Sequence, residues 1–265
     1  MLKKALTIAG FDSSGGAGLQ ADLKTFSALG CYGMSVLTAL PIQNTKGVSN
    51  CYSIPLKAIE EQLESIFDDI PPDVIKIGML FNQEIILLVA NFLKKYAQNI
   101  PIVIDPVMIA KSGDRLLQLD AIDALKKELF CLATIVTPNL DEASAIFGSE
   151  IANPEAMLEA GKLFLDLGTQ TVLVKGGHLI GDNCSDLLLT PAEHYWLTGK
   201  RINTINTHGT GCTLSAAIAA KLAFSNDIKT SCIEAKDYLT QALQSFQSEK
   251  IGHGHGPVNH FHAIW

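Results

Sequence analysis

The chain predicts an α/β fold, an open and mostly parallel sheet with helices on both faces. Three observations carry that expectation. Short β-branched or aliphatic runs alternate with helical stretches of about 10–16 residues, the rhythm of right-handed βαβ units. Several runs are apolar throughout, as strands covered on both faces are. No linker, internal repeat or low-complexity stretch interrupts the pattern, so residues 1–265 read as a single domain.

The elements follow in order. Ala5 to Ala9 reads as a strand, Gly18 to Leu29 as a helix and Gly33 to Leu40 as a second strand. Ile54 to Asp69 places Ile59, Leu63, Ile66 and Phe67 at helical spacing and is stopped by Pro71-Pro72. Val74 to Ile77 is a strand and Gln83 to Tyr96 a helix, and the strand Ile102 to Ile104 runs straight into Asp105-Pro106. Next come a helix over Asp120 to Leu129, a strand over Thr134 to Thr137, and a turn leading into a helix after Pro138. Pro154 to Asp166 is a helix and Thr171 to Val174 a strand. A hairpin or meander around Gly181 takes in Asp186 to Leu189, Glu193 to Leu197 and Lys200 to Ile202. Helices over Thr213 to Phe224 and Ile228 to Phe246 precede a polar tail.

Bulk properties narrow the function. The chain is 48% hydrophobic and 18% charged, a globular composition, and its net charge of −7 offers no basic footprint for nucleic acid. Backbone dipoles do not appear in that sum, so Gly-rich turns remain open to anionic ligands. Met1 to Gly10 has a basic start but little apolar length before Asp12, and reads as a first strand rather than a signal peptide. No apolar run approaches the roughly 20 residues of a membrane span. Six cysteines without a CxxC pair suggest free thiols in the reducing cytoplasm.

In such sheets ligands bind beyond the carboxyl ends of the strands, and the candidate residues gather there. The most informative run is Thr207-His208-Gly209-Thr210-Gly211-Cys212-Thr213, which opens a small-residue helix. Its unpaired amides, at the positive end of the helix, suit a phosphate or the charge of phosphoryl transfer. Cys212 stands at that mouth, placed to act on a substrate hydroxyl; an ordinary turn with a structural cysteine would look the same locally. The helix N-terminus favours its thiolate, whereas bound phosphates oppose it.

A second Gly-rich turn, Gly10 to Gly18, is neither GxGxxG nor a GxxxxGKS/T loop. It brings amides close to a small ligand, with Asp22 one turn into the helix as a polar anchor or a first-turn charge. Asp105 and Glu142 follow strand ends and suit an octahedral magnesium site completed by phosphate oxygens and water. Asn139 begins the same turn as Glu142, and Asp141 points elsewhere on the helix. Lys175 emerges from a buried strand into Gly176-Gly177, where it suits a nucleotide phosphate. The Gly-His alternation from Gly252 to His262 lacks a ligand scaffold and reads as a packed tail rather than a metal site.

Together these segments resemble the hydroxymethylpyrimidine/phosphomethylpyrimidine kinase family of thiamine biosynthesis, a branch of the ribokinase-like superfamily of three-layer sandwiches. The likeness rests on Ala9 to Lys24, Gln43 to Val48, Asp105 to Met108, Thr137-Pro138-Asn139 with Glu142-Ala143, Val174 to His178, His208 to Cys212 and Gly252 to His262. It implies an ATP- and magnesium-dependent kinase that phosphorylates 4-amino-5-hydroxymethyl-2-methylpyrimidine and then its monophosphate. On that likeness Gln43 and Asp22 read the ring, helped by Gly10, Ala17 and Val107. Asp105 and Glu142 serve magnesium, Lys175 and Asn139 the nucleotide, and Gly209, Thr210 and Gly211 the anion hole. Cys212 stands where most sugar-kinase relatives carry a catalytic aspartate. The resemblance further implies a homodimer; no fused thiamine-phosphate synthase domain is expected, because the chain ends soon after the kinase pattern, and adenine contacts are expected in the loop before or within Ile228 to Phe246.

Leu40-Pro41-Ile42 departs from the family's usual small-residue pattern beside Gln43. Proline there removes a donor and fixes φ at the ring-binding edge. Pyridoxal phosphorylation is therefore the alternative activity, since a glutamine amide serves either ring. A non-catalytic pyrimidine-binding module is the third reading, opposed by the joint presence of Asp105, Glu142, Lys175 and Cys212.

Overall fold

The computed structural model describes residues 1–108, 117, 121–177, 184–225 and 227–265. Its framework is an eight-stranded sheet built from β1 (Lys3–Ala9), β2 (Cys31–Leu37), β5 (Val74–Ile77), β6 (Ile102–Ile104), β7 (Ile135–Val136), β8 (Val172–Val174), β9 (Asp186–Leu189) and β10 (His194–Leu197). The strand order is β10-β9-β8-β7-β6-β5-β1-β2. Pairings from β2 through β8 are parallel, and β9 and β10 add antiparallel at one edge. From β1 the chain crosses to β2 on one side, and later strands extend the sheet on the other. The strand order therefore reverses beside β1, and a crevice opens at the carboxyl ends of β1 and β5.

Side-chain alternation sorts the two faces. Leu6, Ile8, Ile75, Ile77, Ile102 and Ile104 face the layer of α2 (Leu56–Asp69), α3 (Gln83–Tyr96), α5 (Leu140–Phe147) and α6 (Pro154–Asp166). Ala5, Val74, Val103, Ile135, Leu173 and Leu188 face α1 (Gly18–Ala28), α7 (Thr210–Phe224) and α8 (Ile228–Ser245). The result is helix–sheet–helix, the expected three-layer arrangement. Helix α7 is buried nearly all round, and alanines at 216, 217, 219 and 220 let it lie close to both the sheet and α8.

Four local expectations change. The run Gly33 to Leu40 is not one strand, because β2 ends at Leu37. Thr38 then ties the chain down, its N–H to Ala9 O and its hydroxyl to Met79 O. From there β3 (Ala39–Asn44) and β4 (Gly47–Ser53) form a separate two-stranded sheet. Pro41 is tolerated because that sheet is all edge. The expected helix over Asp120 to Leu129 is broken into α4 (Ala121–Ala124), a π turn at Leu125–Leu129 and a 3-10 turn at Phe130–Leu132. Asp120, and the turn around Gly181, lie outside the described residues. Lys200 to Ile202 forms no strand beyond a single bridge position at Lys200. Finally, α7 starts at Thr210, three residues earlier than its apolar run suggests.

The Gly-His tail packs as expected. His255 N donates to Thr45 O, Gly254 N to Thr45 Oγ1, and Gly256 O accepts from His208 N. No described helix is long and apolar enough to cross a membrane.

Candidate active site

Helix α7 is preceded at its N-cap by Gly209, which has φ +77°. A Cβ there would lie 1.8 Å from Gly16 O, so only glycine lets the two Gly-rich loops meet. The left-handed turn leaves the first amides of α7 without intrahelical partners beneath the carboxyl edge of the sheet. The sequence therefore builds an anion-binding helix end at the centre of the crevice.

Neighbouring strands deliver charge to it. Asp105 follows β6, Asn139 follows β7 and Lys175 follows β8. Lys175 Nζ lies 2.8 Å from Asp105 Oδ1 and 3.9 Å from Glu142 Oε2. Thr137 Oγ1 and Ser215 Oγ also donate to Asp105, at 3.3 and 3.4 Å. Asn139 and Glu142 form a reciprocal cap on α5, in which Glu142 N donates to Asn139 Oδ1 and Asn139 N to Glu142 Oε2. Burial pushes the Glu142 carboxyl above its ordinary pKa, the Lys175 charge opposing and the Asp105 charge adding to the rise. Burial alone would lower Lys175, but Asp105 and Glu142 override it and raise it. Two carboxylates around one ammonium, beside unpaired amides, form a donor set that fits a hard divalent cation shared with phosphate oxygens.

The other end of the crevice is a mixed apolar and polar wall. Gly10, Phe11, Ala17, Pro41, Gln43, Met79 and Val107 line it. Gln43 sits at a register shift in the β3–β4 pairing, with Nε2 3.3 Å from Phe11 O. The Gly10–Ala17 loop is organised by Asp12, whose carboxylate accepts from the backbone of Ser14, Gly16 and Ala17 and lies 2.8 Å from His208 Nε2. Burial would raise Asp12, but hydrogen bonds from His208 and Ser14 and the His208 charge hold it at about 2.

Gly10, Ala17, Gln43, Asp105, Val107, Asn139, Glu142, Lys175, Gly209, Thr210, Gly211 and Cys212 all line one cavity of about 520 Å³. Asp22 is the correction. It does not line this cavity; its fully buried carboxylate pairs with Lys76 Nζ at 2.9 Å and accepts from Thr7 Oγ1 at 2.6 Å. A lysine projecting from β5 into the α1–α7 layer needs an anion, and Asp22 supplies it. For Cys212 the sequence left the helix N-terminus and bound phosphates opposing one another. Burial pushes the thiol up to about 11, despite the opposing Lys76 charge and a hydrogen bond from the Gly18 backbone.

Sequence reading missed Phe11, Met79, Arg201 and His208 as individual lining residues. It placed further contacts in the region of α8, and Lys236, Leu239, Thr240 and Leu243 do line the cavity. Lys236 is held by Asp186, whose other oxygen accepts from Gly176 N at 2.9 Å. The lysine inside the apolar strand Val74–Ile77 was the one available signal of the buried pair. Phe11 and Met79, directly beyond strand ends, were marked by position alone.

The same framework recurs in known proteins. A family model described as phosphomethylpyrimidine kinase matches residues 12–259. The hydroxymethylpyrimidine/phosphomethylpyrimidine kinase of Escherichia coli is 49% identical over 263 residues, covering 98% of each chain. The thiamine biosynthesis bifunctional protein ThiED of Geobacter sulfurreducens is 47% identical over 258 residues, 97% of this chain, which spans about half (52%) of that relative's length. A solved structure of the pyridoxal kinase from Staphylococcus aureus, in complex with AMP-PCP and pyridoxal, superposes with a TM-score of 0.91 at 37% identity, covering 100% of this chain and 95% of that one. With a matching family model over nearly its whole length and relatives near half identical, this chain belongs to the hydroxymethylpyrimidine/phosphomethylpyrimidine kinase family of the ribokinase-like superfamily.

Proposed function

We propose that this kinase transfers the γ-phosphoryl group of ATP to the primary alcohol of 4-amino-5-hydroxymethyl-2-methylpyrimidine, and then phosphorylates the resulting monophosphate. The observation that carries the reading is one cavity that is lined by Gly10, Ala17, Gln43 and Val107 and also by the α7 turn and Lys175. All 265 residues would act as one domain, since the cavity draws on segments from Gly10 to Leu243.

Each part has a defined task. Gln43, with the Gly10 and Ala17 backbone and Val107, would hold the ring. The Gly209-Thr210-Gly211 turn would receive charge on the transferring phosphoryl group, and Lys175 and Asn139 would orient the nucleotide phosphates. Asp105 and Glu142 would hold Mg²⁺, which when bound neutralises charge on the phosphate oxygens. Asp22 supports the floor through Lys76 rather than touching the ring.

Incubation with magnesium-ATP and the pyrimidine alcohol, followed by mass-resolved product analysis, tests the assignment. Sequential mono- and diphosphate are expected. Phosphorylation of pyridoxal alone would move the activity to the second reading, which the likeness to a pyridoxal kinase and the Pro41 edge both favour.

Cys212 would take the alcohol proton late in a loose transition state. With its thiol near 11, the thiolate fraction at neutral pH is small and rises with pH. The first transfer is therefore expected to accelerate by about tenfold per pH unit over the range in which the thiolate limits it. The second acceptor is already ionised and needs no base. Cys212→Ser should accordingly damage the first transfer more than the second, measured with each acceptor supplied separately. Equal damage and a flat alkaline profile would leave Cys212 a positioning role only.

A further inference from the structure

The two acceptors of the proposed reaction differ by a full phosphate charge, and one side chain is built to sense that difference. His208 immediately precedes Gly209, the pivot of the anion turn. Its Nε2 lies 2.8 Å from Asp12 Oδ2 and 3.4 Å from Ser14 Oγ. The Asp12 carboxylate is fully enclosed and anchors the ring-binding loop through the amides of Ser14, Gly16 and Ala17. The imidazole packs on Gly16, where an added Cβ would come within 2.5 Å of Cδ2. On its other side the His208 backbone is pinned to Gly256. The ring is thus fixed in place between the two loops.

Its chemistry follows from that placement. With Nε2 turned to the Asp12 carboxylate, Nδ1 is the nitrogen left for a further partner. Among the described residues Nδ1 makes no hydrogen bond, and the side chain retains 12% exposure on the cavity wall. A protonated imidazole carries a proton on each of its two nitrogens. In that form Nδ1–H is a charge-assisted donor suited to a phosphate oxygen.

The second transfer needs such a donor. An alcohol acceptor is neutral, whereas a phosphate monoester brings about −1.5 to −2 charge into a site that already receives the γ-phosphate. Lys175 is engaged by Asp105 and Glu142, and Lys236 by Asp186. Arg201 donates to Gly177 O on the far side of the Lys175 turn. Of the basic side chains that line the cavity, Lys200 among them, His208 is the one hydrogen-bonded to the ring loop immediately before the anion turn.

We propose that His208 is an acceptor-specificity residue, whose Asp12-backed imidazolium holds the acceptor phosphate of a monoester substrate through Nδ1–H. In that step a monoester oxygen bonds to the γ-phosphorus, the bond to the β-phosphate bridging oxygen breaks and ADP leaves. No proton is abstracted, because the acceptor oxygen is already ionised. The inference rests on the two-step reading above and assigns the second step a residue of its own.

His208→Gln, which retains an N–H donor toward Asp12 but not the charge, tests it. Initial rates are measured with purified alcohol and purified monophosphate as separate acceptors, and the binding of each without nucleotide is followed by calorimetry. The ratio of second-transfer to first-transfer kcat/KM is expected to fall about ten- to a hundredfold, the scale of one charge-assisted hydrogen bond, with the loss expressed mainly in KM for the monophosphate. Equal losses for both acceptors would make His208 a strut between loops and overturn the proposal. A wild-type enzyme that makes no diphosphate would overturn the two-step reading and this inference with it. A wild type that makes diphosphate while the variant keeps the ratio overturns the inference alone. Should the glutamine variant not fold, ring ¹⁵N shifts of the wild-type histidines give a second readout. One histidine Nδ1 is expected to shift on adding monophosphate but not alcohol, and the absence of any such shift would refute the assignment.

Discussion

Lys175→Met is expected to lower kcat/KM by about 10³-fold for both transfers, the scale of losing a preorganised charge aimed at the transferring group. The effect extends beyond catalysis. Lys175 Nζ sits 2.8 Å from Asp105 and 3.9 Å from Glu142, and both carboxylates are nearly enclosed. Methionine keeps the length of the side chain but leaves two acids facing each other without a cation. Breaking a buried pair by removing one partner costs about 3–5 kcal/mol, and the lower end applies here because Glu142 can take up a proton. The Glu142 carboxyl already lies above its ordinary value of 4.5 because burial outweighs Lys175, and losing the lysine raises it further. A carboxyl that stays protonated in the fold but ionises in the unfolded chain makes stability fall as pH rises between the two pKa values. The variant should therefore show a larger loss of Tm than wild type on going from about pH 5.5 to about pH 8. Parallel Tm profiles for the two proteins would show that Lys175 does not balance the Asp105–Glu142 charge.

That triad also shows what a sequence can and cannot reveal. Asp105, Asn139 and Lys175 were legible because each directly follows a short apolar run, and in a parallel sheet such positions share one edge. The α7 turn was legible because Gly209 and Gly211 precede an alanine-rich segment that only a close-packed helix uses. Partnerships between residues distant in sequence were not. Asp22 looks like a ligand anchor one turn into α1 until the fold sets Lys76 against it, 54 residues on. Asp12 and His208 lie 196 positions apart, and no local pattern predicts their contact. The surroundings of Cys212 were equally hidden: the helix N-terminus favours a thiolate, whereas desolvation in the folded chain pushes the thiol up. The β3–β4 sheet was concealed because Gly33 to Leu40 shows continuous strand character, and the break at Thr38 depends on acceptors from β1 and from Met79, two residues beyond β5.

Gly209→Ala should be the most damaging single-atom addition to the backbone framework of the site. Two costs combine there. A left-handed φ of +77° is unfavourable for alanine by about 1–2 kcal/mol. The new Cβ would also lie 1.8 Å from Gly16 O, a backbone atom that cannot rotate away. Relief requires the Gly10–Ala17 loop and the α7 turn to separate, which strains the Asp12–His208 bond and moves the amides that receive the phosphoryl group. A total loss of at least about 3 kcal/mol is expected, with kcat/KM down more than about 10²-fold from the misplaced amides. Gly148 supplies the control. It closes α5 with φ +72°, and an added Cβ meets nothing within 4 Å. Gly148→Ala therefore bears the backbone cost alone, about 1–2 kcal/mol, with activity near wild type. Urea denaturation and initial rates on the two variants separate conformational strain from loop collision. If they lose equal stability, the close approach of the two loops is not what requires glycine at 209, and the anion turn must be held by α7 alone.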